Sequence, residues 1–73
     1  MRLQPRLRLR GKRLVRLHIV GDGPSVEGIL LGRSSGHYIL LSPKLLETPD
    51  RSHLLDGHIA VPVERVLFVQ VLR

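Results

Sequence analysis

Ser34-Ser35-Gly36-His37 holds the atoms of a nucleophile and a base within four residues. A working pair needs the base within hydrogen-bond reach of the hydroxyl, a third group to orient it, and a pocket that excludes water. Adjacent positions in one tight turn offer no orienting acid and no pocket. His18, His37, His53 and His58, with Asp50 and Asp56 near His53, raise a metal site. No pair has the spacing of a zinc ligand set, and the chain contains no cysteine to add a thiolate. No glycine loop of a nucleotide-binding kind occurs. The residues predict neither an enzyme, a metal nor a cofactor.

The strongest chemical signal is charge. Residues 1–16 carry Arg2, Arg6, Arg8, Arg10, Lys12, Arg13 and Arg16 and no acid, whereas residues 17–73 carry five basic and six acidic side chains. The formal charge of +6 therefore comes from one end of the chain. Concentrated arginine and lysine neutralise phosphates and release their counterions, with little sequence preference. That predicts nucleic acid as partner, RNA ahead of DNA, through Arg6, Arg8, Arg10, Lys12, Arg13 and Arg16. A solvated strand face followed by a tail is the competing reading, and ten Arg against two Lys is also the usage of a GC-rich genome. His37 and Tyr38 offer flat rings on which a base can stack. Alternatively, Tyr38 packs at a core edge with its hydroxyl in water, because Tyr38 and Phe68 are the only aromatic residues of the chain.

Seventy-three residues make one small domain, and a chain of this size buries only about 60% of its unfolded surface. Without cysteines it has no disulfide to staple it, and its core must be built from Leu, Val and Ile. Self-association is the remaining staple. The longest apolar runs, Tyr38–Leu41 and Ile59–Val63, are far short of the ~20 residues of a spanning helix. No apolar stretch follows the arginines as in a signal peptide. Residues 1–16 also lack the Ser of a transit peptide, and Pro5 and Gly11 interrupt a helix there. A cytoplasmic protein is expected.

The elements that position these residues read as strands. Val15, Leu17 and Ile19 alternate with Arg16 and His18, which predicts a strand over Leu14–Val20 with one wet face. Asp22-Gly23 reads as a tight turn with positive φ, and residues 26–33 as a second strand in which Gly28 marks a bulge, a bend or a close backbone approach. Residues 34–37 form another turn. Residues 38–42 form a third strand, ended or bulged by Pro43, and 45–57 a long connection with room for one helical turn at Thr48-Pro49. Residues 58–64 and 65–72 are two more strands with Pro62 at the corner between them. Both are apolar at both parities, which predicts cover on both faces by the N-terminal arm, by the 45–57 loop or by a second copy. Phe68 and Val69 should face opposite sides of the last strand.

Five short strands, Gly and Pro turns and no long helix predict an all-β fold, a small five-stranded SH3-like barrel over 14–73 with a basic N-terminal extension over 1–13. Residues 15–41, and more loosely 61–72, resemble the Sm and Sm-like RNA-binding proteins. Val15, Leu17 and Ile19 look like the first strand of that family, Asp22-Gly23 like its turn, Val26, Gly28 and Leu30 like its second strand, and Ile39-Leu40-Leu41 like its third. The resemblance implies an Sm-like barrel and a homo-oligomeric ring; the apolar last two segments put Val61, Phe68 and Val69 at or near an interface. It does not extend to the family's uridine pocket. Ser34 and Tyr38 stand where the family has an Asp and an Asn, and Val61-Pro62-Val63 where it has an Arg-Gly pair. The expectation is a non-enzymatic nucleic-acid-binding protein. The alternative is a protein-interaction or assembly module, of the kind found as bacterial or phage accessory proteins, whose arginines meet an acidic protein surface.

Overall fold

The computed structural model describes residues 12–48 and 50–73. Arg6, Arg8 and Arg10, and most of the expected N-terminal extension, lie outside the described residues. The described chain is all β, as expected, with six strands rather than five. They are β1 (Arg13–Ile19), β2 (Ser25–Ser34), β3 (His37–Thr48), β4 (Arg51–Leu54), β5 (His58–Pro62) and β6 (Val66–Val71), with a single 3-10 turn, Val63–Arg65, between the last two.

All pairings are antiparallel, in the order β4-β3-β2-β1-β6, with β5 also on β3. The first half of β3 pairs with β5 (Tyr38 opposite Val61) and the second half with β4 (Lys44 opposite Leu54). The switch falls at Ser42-Pro43. Ser42 takes a positive φ of 52°, its N–H donates to the Gly57 carbonyl at 2.9 Å, and the Pro43 carbonyl accepts from Leu55 at 2.9 Å. Pro43 has no N–H to give to a ladder, so it sits where the ladder changes partner. Because β3 kinks here instead of ending, residues 45–57 form the rest of β3, a turn and β4, and the expected helical turn gives way to a hairpin.

The other turns follow their residues. Ser35 and Gly36 both have positive φ, 51° and 76°, between the paired Ser34 and His37, the geometry that matches strand twist in a two-residue hairpin. In the β1–β2 connection the positive φ falls on Gly21, at 91°, rather than on Asp22-Gly23. Pro62 ends β5 at the corner where it was expected, and the Val63 N–H bonds to the Gly36 carbonyl at 3.0 Å.

The sheet curls strongly. In a flat sheet β5 and β6 would lie four strand spacings apart, about 19 Å. The short link from Pro62 to Val66 reaches at most about 14 Å even when extended, and here it contains a 3-10 turn. The two edges must therefore approach each other. One cluster accordingly collects Val15 and Leu17 of β1, Val26 of β2, Leu40 of β3 and Val61 of β5, with Ile59 of one edge and Val66 and Val69 of the other packed against it. Among the described residues no ladder joins β5 to β6, so the small curled sheet is not closed. Gly28 provides the close approach anticipated for it. It is buried beneath β3, and the β2–β3 register shifts between Glu27 and Ile29.

Candidate nucleic-acid interface

Alternation along β1 sends Val15 and Leu17 into the core and Arg16 and His18 to the other face. The ladders then fix their neighbours. Arg16 lies opposite Gln70 on one side and Glu27 on the other, and Glu27 opposite Lys44. The Arg16 guanidinium donates from Nε and Nη2 to Glu27 Oε2 at 3.1 and 2.7 Å, and Lys44 Nζ stands 3.8 Å from Oε1. Arg16 is thus committed to a carboxylate, and its charge is less available to a phosphate than those of Lys12 and Arg13. Glu27 is mostly buried and balances two cations. Glu27→Gln should therefore cost about 1 kcal/mol in chemical denaturation.

His18 lies opposite Phe68, and their rings stack with centroids 4.3 Å apart at 18°. Its Nε2–H donates to Gln70 Oε1 at 2.9 Å. Arg16 and His18 line a groove of about 390 Å³ whose other walls are the Gly23-Pro24 connection, Ser25, and Leu46, Glu47 and Thr48 at the end of β3. Glu47 is held from its own hairpin by Arg51 at 3.8 Å and His53 at 3.5 Å. The sequence puts His18 on the wet face of β1 and raises it only among the possible metal ligands, not as a stacking ring. Its partners are more than 45 positions away, and only strand register brings them together.

A second region is the corner where the N-terminal segment joins the sheet. Lys12 and Arg13 are exposed there, and the Leu14 carbonyl accepts the amides of Leu72 and Arg73 at 2.8 and 3.4 Å. Arg73, also exposed, therefore stands beside the basic start of β1. Among the described residues no carboxylate lies within ion-pair distance of Lys12, Arg13 or Arg73. The remaining expected residues lie elsewhere. His37 turns Nδ1–H to the Ser35 carbonyl at 2.8 Å. Tyr38 packs against the core cluster with the Arg33 guanidinium 5.5 Å from its ring centroid, so its ring is already engaged on both counts. The catalytic-looking turn is thereby tied to its own backbone.

Val61, expected at an interface from the apolar pattern around it, is 8% exposed within a single chain and belongs to the core. Phe68 and Val69 do face opposite sides: Val69 packs against the core, and Phe68 is 51% exposed. Leu67 and Val71 are exposed too, Val71 on the face of Val15 rather than that of Phe68, and β6 pairs only with β1 among the described residues. Residues 51–54 of the 45–57 segment pair with the second half of β3 as β4, and β6 pairs with β1.

Among the described residues no three His, Asp or Glu side chains gather to hold a metal ion, and no helix is long and apolar enough to cross a membrane. No protein-family model and no curated protein matches this chain.

Proposed function

We propose that this protein binds single-stranded nucleic acid, RNA ahead of DNA, as a cytoplasmic Sm-like small barrel without chemistry of its own. The observation that carries the reading is the separation of charge: seven basic residues and no acid in residues 1–16, on a body whose remaining charges sum to −1. The sheet supports it at the point of attachment. Lys12, Arg13 and Arg73 are exposed and without a carboxylate partner among the described residues, so the described fold presents free cations where the basic segment of the sequence begins to form β1. Such a surface supplies affinity through phosphates. Protein purified in low salt without nuclease should carry nucleic acid, seen as a raised ratio of absorbance at 260 nm to that at 280 nm. A ratio matching the pure polypeptide, at a salt concentration that spares phosphate contacts, contradicts the proposal.

We include self-association in this reading, because Leu67, Phe68 and Val71 expose apolar surface on a strand that a second copy can cover. Phe68→Asp should leave the melting behaviour near that of wild type and lower the solution mass. Val69→Asp, which buries a charge against the core, should cost about 2 kcal/mol in stability. A wild-type monomer of about 8.3 kDa in light scattering well above micromolar concentration contradicts the self-association. The same apolar strand favours the second reading, a protein-interaction module, and indifference to nucleic acid in low salt would leave that one standing.

A further inference from the structure

We propose that the groove beside His18 is a subsite for one unstacked guanine base of the bound strand; this rests on the nucleic-acid reading above and gives it a site of base preference. The groove lies at the Ser25 end of β2, away from the 34–37 hairpin that corresponds to the Sm-like uridine pocket. Its volume, about 390 Å³, is at the lower end of the range for small-molecule sites. It has a flat wall. His18 lines it, and the His18 imidazole is backed by Phe68 at 4.3 Å and held by Gln70 at 2.9 Å. A ring held on both counts loses little freedom when a base stacks on it, and such stacking accepts any base.

Selectivity comes from the opposite wall. Glu47 and Thr48 line the groove from the end of β3 and Ser25 from β2. The hydroxyls of Ser25 and Thr48 both donate and accept, but an ionised carboxylate only accepts. Guanine presents two adjacent donors, N1–H and the 2-amino group, which suit the two oxygens of one carboxylate. Uracil presents a single N–H between two carbonyl acceptors, which the same carboxylate repels. Arg51 and His53, 3.8 and 3.5 Å from Glu47 Oε1, brace the carboxylate. The groove is not a phosphate site, because the guanidinium of Arg16, its lining cation, is already joined to Glu27 at 2.7 Å.

The test uses the full chain and two labelled probes, a short oligouridine and the same oligomer with one central guanosine, followed by fluorescence anisotropy. The guanosine-containing strand should bind about tenfold more tightly. Glu47→Gln, at an exposed position that leaves the core untouched, should abolish that ratio while both strands still bind. His18→Ala should weaken the guanosine-containing strand by about tenfold. Equal affinities for the two strands in the wild type, with their salt dependence intact, overturn the groove and leave the arm reading in place. Absence of binding to either strand in low salt overturns both. A preference for guanosine that survives in Glu47→Gln overturns the assignment to this groove.

Discussion

Gly28→Val is expected to destabilise the protein by about 3 kcal/mol or more, although valine is much the better strand former. The reason is room rather than backbone conformation. A Cβ at this position would stand 3.1 Å from the Leu41 carbonyl oxygen, 3.2 Å from Leu40 Cβ and 3.3 Å from Pro43 Cα. All three atoms belong to the β3 backbone or are bonded directly to it, at the place where that strand changes partner, so they cannot swing aside as the end of a long side chain can. Valine adds two further methyl groups to the same crowded space. Gly28→Ala brings only the Cβ itself and should lose about half as much. A domain of this length has a total stability of only about 4–11 kcal/mol, so the valine variant should show a much lower melting temperature or fail to fold at 37 °C. Thermal denaturation followed by far-UV circular dichroism checks it; coincident melts for wild type and Gly28→Val would mean that β2 does not press against β3 at this point.

Neutralising Arg6, Arg8, Arg10, Lys12 and Arg13 together is expected to have the largest effect on binding. These five residues lie before the core-forming part of β1, whose first buried residue is Val15. The variant should therefore keep the melting temperature of wild type. Each phosphate left without its cation should flatten the plot of log affinity against log salt by about 0.7 for a single strand. If all five side chains touch phosphate, most of the salt dependence disappears, and affinity in low salt falls by orders of magnitude for every sequence alike. Arg16→Gln should change this slope much less, since Arg16 is engaged by Glu27, and should cost stability instead. An affinity and slope unchanged in the five-residue variant would remove the arm from the interface.

The strands of the frame were legible because alternation and turn chemistry are local. Val15, Leu17 and Ile19 place β1 to within one residue, Ser35-Gly36 supplies the positive φ of a tight hairpin, and Pro62 can only sit at a corner. Gly28 was legible as a close approach, though not what it approaches. The sixth strand was not, because proline at 43 ordinarily stops a ladder, and here a serine in the left-handed region lets β3 continue with a new partner. Nor was Val61. At a corner flanked by apolar residues of both parities, nothing local tells core from interface, whereas pairing with Tyr38 turns its side chain inward. The groove was the least legible part. Its walls come from residues 16–18, 23–25 and 46–48, and it exists only because two ladders bring Arg16 beside Glu27 and Ser25 beside Leu46. The charge of the N-terminal segment needs no fold to be seen, which is why it carries the functional reading.

The most direct measurement is the affinity of the wild-type protein for a labelled single-stranded RNA at a series of salt concentrations. Tight binding is expected in low salt, with a straight log–log plot whose negative slope corresponds to several neutralised phosphates, about 0.7 for each. No binding in low salt, or an affinity that does not change with salt, would contradict it.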